Sequence, residues 1–496
     1  MKKHFVITGL TVLSGITYVH LFSGEQMGLN TLVFTIALLA TIFGFQPELK
    51  HTPSALFAAG GVLLTACIVI WHNSDFAKMM HWFSLLLLIG FAQRRELRFL
   101  IFAILLALTS VLTLAQQWLR ELRKVILPAS YQRLPFQKIP LMILPIFCLG
   151  LFGSIYYQAN QKWAALFDRI WSSFLNVFHW HLSIEQILLF MVGFWLMGAG
   201  ILRSRFGELF THLEASQSDL LVRRRIPFKE RWWPQTHLLS LKNEYWVAIL
   251  TIGLLNTLLF VVNMTDLRYV WIETEMTTAA ELSQYVHEGT YLLILSILLS
   301  AAILLYFFRG NQNFYKQNTL LHEMTYVWIA QNGLLALSVG MRNFRYLSQY
   351  GLAYKRIGVF IFLIMVLSGL LFLYFKIRDK KSAFYLLRNN AWIFYAVLLT
   401  FSTLNWDVII TKYNIHQAAS TGSVLDDYFL THEVGLGNVW LLVNREAEIS
   451  KLVNDPAQLR EDIEQKRKVF MRRQNQLSWR SWNWAGSHMQ RQLADR

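Results

Sequence analysis

IGVFIFLIMVLSGLLFLYF, residues Ile357–Phe375, runs for nineteen residues without one charged side chain. A helix rises about 1.5 Å per residue, so such a run covers the roughly 30 Å hydrocarbon core of a bilayer. Its backbone must satisfy its own hydrogen bonds there, which selects helix over open strand. Outward from this stretch the same pattern recurs between Phe5 and Trp406. The expected spans are 5–22, 28–46, 54–71, 76–92, 98–116, 139–157, 184–202, 244–264, 287–308, 323–341, 356–375 and 389–405. The expected fold is therefore all-α, a polytopic integral membrane protein of 11–13 transmembrane helices with a small helical C-terminal extramembrane region. The least regular spans are 76–92, with Lys78 and His81, and 323–341, with Glu323, Gln331 and Asn332.

Composition agrees. Of 496 residues, 55% are hydrophobic and only 15% charged, with a mean hydropathy of +0.37. The net charge of +16 sits mostly in loops between apolar runs. Lys and Arg there set topology and meet anionic headgroups, so no nucleic-acid partner is expected. Loops 116–138, 203–242, 309–322 and 376–388 hold twenty Lys and Arg, against seven in 158–183, 265–286 and 342–356. The first set is assigned to the cytoplasm, which puts the chain after Trp406 outside. With twelve spans the N-terminus, including Lys2 and Lys3, falls outside; with 76–92 not crossing, it returns to the cytoplasm. The start of the chain is read as a retained helix, since no small-x-small cleavage site follows it cleanly. Cys67 and Cys148 both lie in apolar runs, which argues against a disulfide framework.

The expected regions are 1–138, N-terminal helices; 139–242, two helices with an interfacial segment and a basic loop; 243–405, a C-terminal transmembrane unit; and 406–496, an extramembrane region. Within 162–182, Trp163, Leu166, Phe167, Ile170, Trp171, Phe174, Leu175 and Phe178 recur at helical spacing, as in a helix lying in the headgroup zone. Asp455-Pro456 is an N-cap followed by proline at the first helical position. The helix it opens carries Leu459, Ile463, Phe470 and Leu477 on a charged background, followed by Trp479, Trp482 and Trp484. This tail is either a solvated helix with an apolar seam or a segment docked on the membrane surface.

Three polar constellations fall on the outer side under this topology. One is Tyr285-Val286-His287-Glu288-Gly289. The second runs from Arg342-Asn343-Phe344-Arg345 through Tyr350-Gly351 to Lys355-Arg356. The third is Asn405-Trp406-Asp407 with Ile410 and Lys412-Tyr413-Asn414. Ionisable residues at membrane depth are costly unless paired or wet. Each constellation has a plainer role: headgroup anchoring, lipid-phosphate contact, or capping of helix ends. The sharper expectation is one ion-paired cluster of Glu288, Arg345, Arg356, Asp407 and Lys412 able to hold an anionic group such as a lipid phosphate. The candidate polar site is Tyr285, His287, Glu288, Arg345, Tyr350, Arg356, Asn405, Asp407, Lys412 and Asn414.

No catalytic residue, metal or cofactor is assigned. His287-Glu288, His322-Glu323 and His432-Glu433 lack a second histidine four residues after the first, so the zinc-protease helix is absent. His179 and His181 flank Trp180 in an aromatic belt and are read as anchors. Gly60-Gly61 and the glycines around 193–207 are read as close helix packing. Gly435-Leu436-Gly437 lacks the strand-and-helix setting of a nucleotide loop.

The same constellations carry a resemblance. The chain resembles the bacterial multi-pass membrane family catalogued as domain of unknown function 4173, close to its sister 4153, over residues 240–440. That family has a Tyr-x-Arg-x-Gly-Phe element, seen here as Tyr285-Val286-His287-Glu288-Gly289-Thr290. It has a Tyr-Gly-Leu-Thr element with a following Arg, seen as Tyr350-Gly351-Leu352-Ala353 with Arg356. Its Asn-x-Asp-x-x-Ile element appears as Asn405–Ile410 with Asn414-Ile415, and its Asp-x-x-Tyr-Leu stretch as Asp426-Asp427-Tyr428-Phe429-Leu430. His287 replaces the family's Arg and Thr290 its Phe, which removes a permanent positive charge from the first element. The resemblance implies one structural unit in the bacterial inner membrane and brings no activity with it.

Three functional readings follow. The leading one is a non-enzymatic protein that binds membrane lipids, an envelope lipid or a protein partner at the polar site, in transport or sensing. The second is a membrane enzyme acting on an envelope lipid or glycan, with Glu288 or Asp407 as general base. The third is a scaffold for partner proteins, which predicts an exposed apolar surface on 416–496.

Overall fold

The computed structural model describes residues 2–126, 149, 152–153, 156–157, 160–178, 183–223, 241–272 and 279–494, with backbone alone at Lys2, 171–178, 279–291 and Ala494. Among the described residues there is no strand, only an isolated bridge between Leu220 and Lys381. The protein is an all-α polytopic membrane protein. Seven described helices are long and apolar enough to cross a membrane, or eight if the bent pair Ala383–Phe401 and Trp406–Thr421 is one span. Leu29–Phe45 and Leu292–Phe307 are apolar but shorter. Eleven of the twelve expected spans coincide with a helix; 139–157 lies largely outside the described residues. The doubtful 76–92 segment is the Asp75–Gln93 helix, of spanning length and composition.

Two compact units divide the chain: 1–214 with 471–496, and 215–470. In the first, helices Lys2–Phe22, Leu29–Phe45, Pro53–His72, Asp75–Gln93, Leu100–Ile126 and Ile184–Ile201 pack together. Lipid tails are as apolar as leucine, so these helices associate by close packing rather than by a hydrophobic drive. Two glycines make the approach possible. A methyl group at Gly193 would strike Tyr18, and one at Gly90 would strike the Ala103 carbonyl. Gly60 is an exception to the packing expectation, because a methyl group there would meet only open space. Helix ends are closed by side chains: Ser183 and Gln186 form a reciprocal capping box, and Glu214 accepts from the Arg98 amide at 3.0 Å.

The last residues of the chain are part of this first unit. Glu25 Oε1 pairs with Arg480 Nη2 at 2.8 Å, and Glu25 Oε2 accepts from the Ser481 hydroxyl at 2.5 Å. The Leu29 amide donates to the Trp482 carbonyl at 2.9 Å, and Trp484 stacks on Trp71. The helix Pro456–Asn475 begins where the Asp455-Pro456 signal places it, with Asp455 Oδ1 accepting from the Ala457 and Gln458 amides at 3.0 and 3.1 Å. Leu459, Ile463 and Phe470 are buried on its apolar seam. The expected interfacial helix is Gln161–Phe178, with Trp163, Leu166 and Ile170 exposed; His179 and His181 lie outside the described residues.

In the second unit, the Leu241–Asp266 and Thr319–Tyr350 helices meet along a polar seam. Asn256 Nδ2 donates to the Met324 carbonyl at 3.0 Å and Gln331 Nε2 to Asn256 Oδ1 at 2.9 Å. Asn263 Nδ2 donates to the Gln331 carbonyl at 3.1 Å, and Trp271 Nε1 to Ser338 Oγ at 3.2 Å. The seam ends in a buried ion pair between Arg342 and Asp266. Positions 256 and 263, and 324, 331 and 338, are seven apart, the repeat that keeps one face of a helix toward its partner. The polar content explains a departure from expectation. The 323–341 segment is a helix, but one too polar to count among the spanning helices by composition. Gln331, Asn332 and Ser338 are buried, whereas Glu323 near its start is exposed.

Candidate functional site

The site forms where the Thr319–Tyr350 helix stops and the Tyr354–Arg378 helix starts. Gly351 is the reason for the stop. Its φ of 77° and ψ of −178° belong to a region essentially reserved for glycine. A methyl group there would also sit 2.6 Å from Asn414 Oδ1. Asn414, on the Trp406–Thr421 helix, closes the break from the other side. Its Oδ1 accepts from the Leu352 amide at 2.6 Å, and its Nδ2 donates to the Leu352 carbonyl at 3.0 Å. Only a side-chain amide supplies both a donor and an acceptor to one residue's backbone in this way. The Tyr350-Gly351-Leu352 element and the Asn414-Ile415 element are therefore two halves of one joint.

Arg356 fastens the same break. Its Nη1 donates to the Tyr350 carbonyl at 2.7 Å and also to that of Gly351, and its guanidinium lies 4.4 Å over the Tyr346 ring. Asn343 Nδ2 holds the Arg356 carbonyl at 3.0 Å. Gln417 Nε2 donates to the Ser348 carbonyl at 2.6 Å. A cavity of about 220 Å³ lies against the joint. Its wall includes Tyr350, Arg356, Gln417, Leu425, Asp426 and Phe429.

Asp407 organises a second layer away from that wall. Asn405 caps its helix by accepting from the Val408 amide. Asp407 Oδ1 accepts from the Tyr354 hydroxyl at 2.6 Å, and Oδ2 from the Gly437 amide at 3.1 Å. Gly435 and Gly437 allow this approach: a methyl group on Gly437 would sit 2.7 Å from Asp407 Oδ2, and one on Gly435 would also strike it. The Gly-Leu-Gly turn is thus a seat for a carboxylate of the chain itself. Beneath it, a π-turn at Phe429–Glu433 breaks the usual backbone bonding. Lys466 supplies donors there, reaching the Leu430 and Val434 carbonyls at 2.9 Å each. Burial pushes the Lys466 ammonium down to about 8, with Asp407 pulling the other way.

The structure thus brings together Tyr350, Arg356, Asn405, Asp407 and Asn414. The expected ionic cluster takes a different form. Asp407 bonds a hydroxyl and an amide, Arg356 bonds carbonyls, and Lys412 is exposed; among the described residues no ion pair joins these three. Arg345 is half-buried on the Thr319–Tyr350 helix. Tyr285, His287 and Glu288 lie on the Ala279–Phe307 helix, and their side chains fall outside the described residues. Sequence reading missed Tyr354, Gln417, the role of Gly435 and Gly437, and Lys466. Only the two glycines, closely spaced in a turn, carried a signal. Among the described residues no three of His, Cys, Asp or Glu converge as a metal site requires.

Seven described apolar helices of spanning length define the class: a multi-pass integral membrane protein. Within that class the chain belongs to the family described as Domain of unknown function (DUF4153), whose model matches residues 15–442. This is the sister family of the resemblance drawn above, rather than 4173, and it reaches back to residue 15 instead of starting near 240. No curated protein and no solved structure matches the chain.

Proposed function

We propose that this is a non-enzymatic protein of the bacterial cytoplasmic membrane. It holds an oxyanion-bearing envelope component, such as a lipid headgroup, in the cavity beside Arg356, in transport or sensing. The excess of Lys and Arg in the alternate loops supports an outward-facing cavity. One observation carries the reading. Arg356 lines the cavity, spends only Nη1 on carbonyls, and has no carboxylate partner among the described residues. A guanidinium with unspent N–H groups is suited to a phosphate or carboxylate fork. Binding is favoured over catalysis because Asp407, one of the two candidate bases, has both oxygens engaged and is not on the cavity wall.

The test is titration of the purified full chain with inorganic phosphate and glycerol phosphate by calorimetry. Saturable binding that weakens at least tenfold in Arg356→Gln is the expected result. Equal binding in the variant, or none in the wild type, refutes the site. Sidedness is checked in a background lacking Cys67 and Cys148, with single cysteines at Asp427 and Arg223 and an impermeant thiol reagent on intact cells. Labelling at 427 alone is expected; labelling at 223 alone would turn the cavity toward the cytoplasm.

A further inference from the structure

Resting on that reading of the cavity, we infer that its ligand is a small zwitterion, a phosphoethanolamine group with the phosphate on Arg356 and the primary ammonium on Asp426 and Gln417. Arg356 and Asp426 line the same cavity of about 220 Å³ and yet form no ion pair with each other. Asp426 is exposed and Arg356 half-buried, so solvent screens their mutual attraction. Each is instead held to its own wall by the backbone. Arg356 is fixed by the Tyr350 and Gly351 carbonyls, and Asp426 by the Phe429 amide, which donates to Oδ1 at 2.9 Å. The two charges are kept apart and presented to whatever enters between them.

The remaining atoms agree with a ligand of two unlike ends. Gln417 commits its nitrogen to the Ser348 and Gln349 carbonyls, at 2.6 and 3.2 Å, which leaves Oε1 as an acceptor. Asp426 keeps Oδ2. Two acceptors therefore line the cavity together with the guanidinium. Leu425 and Phe429 add apolar lining suited to a short methylene link. The volume of about 220 Å³ accommodates a compact zwitterion of about eight heavy atoms. A primary ammonium has three donors for these acceptors, whereas a quaternary one has none.

A phosphoethanolamine group occurs free and as a lipid headgroup, and the experiment separates the sources. The purified full chain, in detergent free of added lipid, is titrated by calorimetry with phosphoethanolamine, phosphocholine, inorganic phosphate and ethanolamine. The expected order is phosphoethanolamine first, with each of the others at least tenfold weaker. Asp426→Asn keeps an oxygen to cap Phe429 and replaces the charge and the free acceptor with an amide NH2. It is expected to lose the preference and bind phosphoethanolamine no better than phosphate, at an unchanged thermal midpoint. Wild-type protein that does not distinguish phosphoethanolamine from phosphate, or Asp426→Asn that still does, overturns the zwitterion while leaving the oxyanion site intact. Absence of binding by all four overturns both. In nanodiscs of phosphatidylethanolamine rather than phosphatidylglycerol, a tenfold loss of phosphoethanolamine binding identifies the lipid headgroup as occupant; equal binding in the two identifies the free compound.

Discussion

Replacing Asn414 with alanine should open the joint on which the cavity is built. The side chain makes both hydrogen bonds to Leu352, at 2.6 Å to the amide and 3.0 Å to the carbonyl, in a buried setting. Alanine leaves that amide and that carbonyl without the partners seen here. A buried polar group left unpaired costs about 1–3 kcal/mol, so the pair amounts to about 2–4 kcal/mol once some water enters. Hydrogen exchange at the Leu352 amide reads the effect locally. A loss of about 2 kcal/mol in local opening free energy speeds exchange about 30-fold. Asn414→Asp provides an internal control. It keeps an acceptor for the amide but sets an oxygen against the Leu352 carbonyl, so it should destabilise the unit while sparing more of the amide's protection than alanine does. If Asn414→Ala leaves exchange at Leu352 within twofold of wild type and the thermal midpoint in detergent unmoved, the joint is held by something else and the argument fails.

Other perturbations probe the surrounding contacts. Gly437→Ala places a methyl group 2.7 Å from Asp407 Oδ2 and should cost about 1–3 kcal/mol through displacement of that carboxylate, seen as a lower thermal midpoint; a wild-type midpoint would show that the seat is loose. Glu25→Gln removes the charge facing Arg480 and should free the last residues of the chain, giving faster tryptic cleavage after Arg480. Burial raises the Glu25 carboxyl, but its bonds from Ser478 and Ser481 and the Arg480 charge outweigh this and hold it below the ordinary 4.5. The stability it contributes is therefore present above that value and lost as pH falls through the lowered one. That acid-side loss should be smaller in Glu25→Gln. Lys466 is the opposite case, a base held below its ordinary 10.5, at about 8. The unfolded chain binds more protons between these values. Wild type should thus gain up to about 3 kcal/mol relative to Lys466→Met as pH rises from about 8 to about 10.5, and a flat difference would remove the burial argument.

What could be read from the sequence follows from what each signal encodes. The apolar runs mark helices because a bilayer asks one thing of every spanning residue, and the eleven segments within the described residues are helical accordingly. The Asp455-Pro456 start was also legible, since a cap is a local event. Partners are not local. Charges at 288, 345, 356, 407 and 412 suggested ion pairing, because spacing and opposite sign are all that a sequence displays. In the folded chain Arg356 spends Nη1 on carbonyls exposed by the Gly351 break, and Asp407 accepts from a hydroxyl and a glycine amide. Backbone groups freed at a broken helix or a π-turn must be paired before charges can be spared for one another. The charge that stays available is the one whose neighbours leave it N–H groups to spend, and at this joint that is Arg356, which shares the cavity lining with Asp426. The motif Tyr350-Gly351-Leu352 named the place, but its meaning required Asn414, sixty-two residues after Leu352, to be seen gripping the Leu352 backbone.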